Sequence, residues 1–235
     1  MPSTDPSTTT GPGTVLVTGA ASGLGAAVAR AVADAGGTAL VLDRREVDGF
    51  DGEVVDLADS RAAEAATRRL LGRAGGLDAV VTCAGVDTPG ALDDVPGETW
   101  DRIVAINLLG SAAVVRAALP ALKESSGTVV TVASTLGVKA VGDATAYCAS
   151  KFGVVGFTRA LAAELRGQVG VTLLIPGGMT TAFFDERDEQ YKPGADVVLN
   201  RPEDTARAVM FALQQPAGSE VKEMLVAHAT EGSYP

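Results

Sequence analysis

Thr18-Gly19-Ala20-Ala21-Ser22-Gly23-Leu24-Gly25 stands between an apolar run, Val15–Thr18, and an alanine-rich stretch, Leu24–Ala35. The first has the composition of a buried strand and the second the spacing of a helix, so the glycines mark a strand-to-helix turn. Gly19 permits the tight turn, while Gly23 and Gly25 let other backbone or a ligand come close. The new helix begins with unpaired N–H groups and the positive end of its dipole, a setting that suits a pyrophosphate. Read as a dinucleotide loop, the segment predicts a parallel α/β sheet around it.

The rest of the chain repeats that alternation. Further strand-like runs occur at residues 39–42, 53–55, 79–82, 129–133, 171–175 and 224–227, and helical patterns at 60–73, 99–123, 146–166 and 202–214. Strands joined through helices imply right-handed crossovers and a parallel sheet covered on both faces. The expectation is one doubly wound Rossmann domain over residues 14–235, with seven strands and its crevice at their carboxyl ends. Residues 1–13, rich in Ser, Thr, Pro and Gly, read as a flexible tail.

Composition excludes several classes. A formal charge of −10 argues against a nucleic-acid partner, which would want a basic face. The uncharged apolar run 103–115 is shorter than the roughly 20 residues of a membrane span, so no membrane partner is expected. Cys83 and Cys148 are too few for a disulfide scaffold and too far apart for a metal site, and reduced thiols suggest the cytoplasm. The sole histidine, His228, has no serine nucleophile motif near it, so a hydrolase triad and a metal centre are both unexpected.

Downstream, Asp143-Ala144-Thr145-Ala146-Tyr147-Cys148-Ala149-Ser150-Lys151 places Tyr147 and Lys151 one helical turn apart. A free phenol has a pKa of about 10, too high for proton exchange near neutrality. An ammonium about 4 Å away supplies about 4 kcal/mol at an effective dielectric near 20, enough to bring it into range. Ser134 follows the fifth strand, where its hydroxyl could polarise a substrate oxygen. Asn107 sits in an otherwise apolar helix, and a buried amide needs partners.

The glycine spacing with Asn107, Ser134, Tyr147, Ser150 and Lys151 resembles the short-chain dehydrogenase/reductase family over residues 14 to about 228. That resemblance implies hydride transfer between a nicotinamide and a ketone or secondary alcohol, with Tyr147 as acid and base. It also implies that Lys151 binds the nicotinamide ribose and that Asn107 holds a water in a proton relay. The cofactor would lie against Gly19, Ala21, Ser22, Gly23, Leu24 and Gly25, with Asp56 and Leu57 at the adenine. Cys83, Ala84 and Gly85 replace the family's usual Asn-Ala-Gly, and Pro176, Gly177, Met179 and Thr181 would meet the carboxamide. Asp43, closing the second strand, would accept from the ribose and repel a 2′-phosphate, which favours NAD. Arg44 and Arg45 pull toward NADP. A cofactor-binding regulator and an epimerase or dehydratase on the same scaffold are the alternatives.

The loop 179–200 mixes Phe183, Phe184 and Tyr191 with acids and is expected to form a substrate lid, with Arg187 and Lys192 its candidate carboxylate partners. Leu136, Gly137, Val138 and Val141 would line the wall beside Tyr147. The helices over 99–123 and 146–166 are apolar nearly all round, which predicts a homo-oligomer, a dimer or tetramer.

Overall fold

A computed structural model describes residues 11–234; the tail expected over 1–13 lies, for residues 1–10, outside the described residues, as does Pro235. Seven strands form one sheet: β1 (Thr14–Thr18), β2 (Thr38–Asp43), β3 (Asp51–Val54), β4 (Ala79–Thr82), β5 (Thr128–Val132), β6 (Gly170–Pro176) and β7 (Glu223–Val226). Their spatial order is β3-β2-β1-β4-β5-β6-β7 and every pairing is parallel. The expected seven-stranded, doubly wound architecture is therefore present.

Side-chain alternation explains why both faces are covered. Leu16, Leu40, Leu42, Val80, Val129 and Val171 face one side, together with Ala63, Ala66 and Leu70 of α2 (Ser60–Ala74) and Val114, Ala118 and Leu122 of α4 (Ser111–Ser125). Leu161 of α5 (Thr145–Glu164) joins that layer. Val15, Val17, Val41, Val81, Val130 and Val132 face the other, against Val28 and Val32 of α1 (Gly23–Asp34) and Val209 of α6 (Pro202–Leu213). Runs without a polar alternate are thus what this sheet requires.

The helix expected over 99–123 is longer and irregular. It begins as α3 (Gly97–Val104), widens into a π-helical stretch at Ala105–Gly110 and continues as α4. A Cβ on Gly110 would lie 2.6 Å from the Leu57 carbonyl oxygen, so the wide turn rests directly on the chain after β3. Such turns re-aim side chains at functional sites, and this one turns Asn107 inward. The whole stretch, Gly97–Ser125, is 29 residues long and apolar enough by composition to cross a bilayer. Its Ile103, Val114, Val115 and Leu122 are instead buried in the protein core.

The chain runs from β1 outward to β3, then returns to β4 on the other side of β1. That reversal opens a crevice between the carboxyl ends of β1 and β4, the place where such sheets bind ligands.

Candidate active site

The glycine turn leaves β1 at that crevice. Gly19 has φ +71° and lies so close to Ala84 that a Cβ would come within 2.8 Å of its Cα. Gly25 is tighter still: a Cβ would sit 2.2 Å from the Gly19 carbonyl oxygen. The turn is thereby folded flat against the loop after β4. Ala84 N–H donates to Thr18 Oγ1 at 3.0 Å, so Thr18 ties the two loops beside Cys83. At the start of α1, Ser22 makes no side-chain cap, leaving the first N–H groups of the helix free of a capping oxygen. Close backbone and uncapped N–H groups together fit a dinucleotide pyrophosphate.

Asp43 meets the same turn from β2. Its Oδ2 accepts from Ala21 N–H at 2.9 Å and its Oδ1 from Arg45 N–H at 3.0 Å. The carboxylate is thus fixed beside the loop. Arg45 reaches across to Ser22 Oγ at 3.5 Å, while Arg44 is exposed. Asp56 accepts from Ala58 N–H at 2.9 Å and from Arg102 at 2.8 Å, so it caps its own loop and anchors α3. Leu57 belongs to the core under α2 rather than to an open pocket. On the far side, Thr181 packs toward Gly23, with 3.3 Å from its methyl to a Cβ built there. Gly177 N–H bonds Val226 and Met179 bridges Asn200, which hold the strand end Pro176–Thr181 over the crevice.

The chemical end lies beside it. Ser134 leaves β5 buried, with its Oγ accepting from Leu136 N–H at 3.1 Å. Its hydroxyl also hydrogen-bonds the Tyr147 phenol and favours the phenolate. Lys151 is buried, donates from Nζ to the Val132 carbonyl at 2.9 Å and lies 5.7 Å from the Tyr147 ring centre. Asn107 clamps the loop after β4 to α5. Its Oδ1 accepts from Val86 N–H at 2.8 Å, and its Nδ2 donates to Val86 O at 2.9 Å and Ser150 Oγ at 3.0 Å. Ser150 in turn donates to Tyr147 O at 2.8 Å. The amide thus holds the loop after β4 against α5 through three hydrogen bonds.

The electrostatics differ from the expectation that Lys151 lowers the Tyr147 pKa. Tyr147 keeps part of its surface exposed, yet burial pushes the phenol up to about 12, with Asp87 adding to the rise and Ser134 and Arg187 opposing it. Burial also brings Lys151 down to about 8, with Cys83 and Asp87 favouring its charge. The Lys151 ammonium is directed at the Val132 carbonyl, and burial disfavours charge on both side chains. Burial likewise pushes the Cys83 thiol up to about 12.

The loop 179–200 folds over this end. Phe183 stands 5.8 Å from the Tyr147 ring, and the Arg187 guanidinium lies over Phe183 and Phe184 at 4.9 and 4.7 Å. Arg187 is paired with Asp87 at 2.7 Å. Asp87 carries no motif, and only its place two residues after Gly85 hinted at a role. Lys192 pairs with Glu189 at the surface. Gly137 packs on Lys151 backbone and Val138 on a small core cluster, while Val141 is exposed. A concavity of about 390 Å³ within the loop itself is lined by Thr181, Phe184 and Val197, among others, and touches none of Asn107, Ser134, Tyr147 and Lys151. His228 bonds locally to Thr230, and no group of three or more His, Cys, Asp or Glu that could hold a metal occurs among the described residues.

The comparisons with known proteins agree with this geometry. D-beta-hydroxybutyrate dehydrogenase of Cupriavidus necator is 32% identical over 224 residues, covering 88% of this chain and 85% of that protein. L-fucose dehydrogenase of Mus musculus is 29% identical over 242 residues, covering 94% and 89%. Among solved structures, an alcohol dehydrogenase from Thermococcus sibiricus complexed with 5-hydroxy-NADP superposes with a TM-score of 0.81 at 24% identity, over 92% of this chain and 97% of the other. The model of the short chain dehydrogenase family matches residues 13–192. The chain belongs to the short-chain dehydrogenase family.

Proposed function

We propose that this chain transfers a hydride between a nicotinamide dinucleotide and the carbinol carbon of a secondary alcohol or ketone, with Tyr147 as proton donor and acceptor. The observation that carries the reading is the meeting of Ser134, Tyr147 and Lys151 at the strand ends, beside a turn shaped for a pyrophosphate. When bound, the nicotinamide supplies or accepts the hydride. Ser134 and the Tyr147 hydroxyl hydrogen-bond the substrate oxygen, and Tyr147 Oη gives up or takes the proton there. Lys151 offers positive charge and a donor to the ribose. Asn107 holds the loop after β4 beside the proton path. The relatives, named as dehydrogenases and a reductase, support this over a cofactor-binding regulator, an epimerase or a dehydratase.

NAD is the proposed cofactor over NADP. The support is the Asp43 carboxylate, held against the glycine turn by two N–H groups, where a 2′-phosphate would meet a fixed negative charge. A homo-oligomer belongs to the same proposal. Most apolar residues of the long helices are covered by their own chain, but Leu109 and Phe152 are 51% and 45% exposed, and a second copy is the proposed cover. The two free cysteines, Cys83 and Cys148, support a cytoplasmic location.

Titration with NADH and with NADPH tests the cofactor half, read by energy transfer from Trp100, whose Nε1 is held by Thr145 at 3.1 Å. NADH binding tighter by about tenfold is expected. Tighter NADPH binding would show that Arg44 and Arg45 override Asp43, and binding of neither would overturn the function.

A further inference from the structure

After β7 the chain turns back toward the carboxyl ends of β5 and β6. Glu231 N–H closes that turn on the His228 carbonyl at 2.8 Å. Two side chains of the segment then bond loops that belong to the site. Glu231 Oε2 accepts from Gly178 N–H at 3.0 Å, across 53 residues of sequence. Ser233 Oγ donates to Thr135 Oγ1 at 2.7 Å, across 98 residues. Thr135 is buried and directly follows Ser134. One short segment therefore ties the loop after β5 to the loop after β6.

Gly178 is the neck of the 179–200 loop. Its carbonyl accepts from Asn200 N–H at 3.1 Å, and Thr180 N–H donates to the Asn200 carbonyl at 2.8 Å, so the two ends of the loop meet there. Glu231 takes the Gly178 N–H on the other side of that residue. The backbone is shaped for this carboxylate. A Cβ on Gly177 would lie 2.8 Å from Glu231 Oε2, and one on Gly178 would lie 2.7 Å from Leu199 Cδ2. The two consecutive glycines thus let a side chain seat directly on the main chain. Burial opposes charge on Glu231, but hydrogen bonds from Ser233 and Gly178, with His228 nearby, hold its carboxyl below the ordinary carboxylate range. The acceptor at the neck is accordingly an anion near neutrality, and bonds to an anion are the stronger kind.

The consequence falls on the cofactor crevice. Thr181, three residues past Gly178, packs toward Gly23 of the glycine turn. Without Glu231 the neck has one bond fewer to fix it, and apparent affinity falls with the fraction of molecules that keep Thr181 in place. Resting on the hydride-transfer reading and on the place of Pro176–Thr181 over the crevice, we propose that Glu231 is a positioning residue for the nicotinamide half of the cofactor. It fixes the Gly178 peptide and, with Ser233, keeps that peptide in register with Ser134.

The test is calorimetric titration of the full-length protein with NADH and with ADP-ribose, which lacks the nicotinamide ring. Glu231→Ala should weaken NADH by about tenfold, the size expected for a hydrogen bond to a charged group. ADP-ribose should stay within about twofold of wild type, because its adenosine and pyrophosphate are held at the glycine turn and Asp43. Glu231→Gln keeps an acceptor oxygen at nearly the same volume and should recover part of the loss, leaving NADH about threefold weaker than in wild type. It carries the test by itself should Glu231→Ala fail to fold.

An equal fall for both ligands, the signature of a tether that only adds stability, overturns the proposal. So does a ratio of the two affinities that neither variant changes, or wild-type protein that binds NADH no tighter than ADP-ribose. Wild-type binding of neither ligand would instead refute the hydride-transfer reading beneath it.

Discussion

Lys151 carries a cost in stability that the structure allows to be worked out. Its side chain is 96% enclosed, since only 4% of the residue is exposed, and burial takes its pKa from 10.5 to about 8. That difference corresponds to about 3 kcal/mol. Below pH 8 the folded and unfolded chains both hold the proton, and the folded state bears the whole penalty of a buried ammonium. Between pH 8 and 10.5 the folded chain has released the proton while the unfolded chain keeps it, so the penalty fades as pH rises. Lys151→Met removes the charge at similar volume, and it also removes the hydrogen bond to Val132, worth about 1 kcal/mol. The variant should therefore be more stable than wild type by about 2 kcal/mol at pH 7, a gain of about 4–8 °C in Tm. By pH 10 the two should be about equal. Cys83 and Tyr147, both pushed up to about 12, make the fold less stable above pH 9 and 10, but in both proteins alike. Urea unfolding at several pH values and fixed protein concentration gives the difference directly. A variant that is less stable at pH 7, or a difference that does not change with pH, would refute the reasoning.

Two further outcomes follow from the cofactor end. Asp43→Ser should raise NADPH affinity by about tenfold while costing some NADH affinity, because the fixed carboxylate no longer faces the 2′-phosphate; unchanged preference in competitive titration would assign cofactor choice elsewhere. Gly25→Ala would drive a methyl to 2.2 Å from the Gly19 carbonyl oxygen, so we expect a loss of at least about 3 kcal/mol and of NADH binding. A variant with wild-type Tm would contradict that packing.

Much of this arrangement is legible in the sequence, and the reasons are local. Strands buried on both faces need uninterrupted apolar runs, so β1, β2, β4, β5 and β6 stand out at nearly their observed bounds. The glycine turn and the Tyr147–Lys151 spacing are short-range patterns whose geometry follows from the helix repeat. What the sequence hides depends on long-range contact. The π turn at Ala105–Gly110 arises where Gly110 lands on Leu57, 53 residues away, and no periodicity within the helix announces it. The Asp87–Arg187 pair joins two loops with no regular pattern of their own. Arg187 could be noticed as a spare cation in an acidic lid, but its carboxylate partner belongs to the protein rather than to a substrate. The surroundings of Tyr147 are hidden for a related reason: spacing places Lys151 one turn away, but only the fold shows Nζ turned to Val132 and both groups desolvated.

The most direct test of the central claim is Tyr147→Phe, assayed for alcohol-dependent reduction of the nicotinamide alongside its binding. The ring and its contact with Phe183 are retained, and only the hydroxyl that exchanges the proton is lost. The account predicts a fall in kcat of about a hundredfold to ten-thousandfold, with NADH affinity within about twofold of wild type. Turnover near the wild-type rate with intact cofactor binding would contradict it and remove Tyr147 from the chemistry.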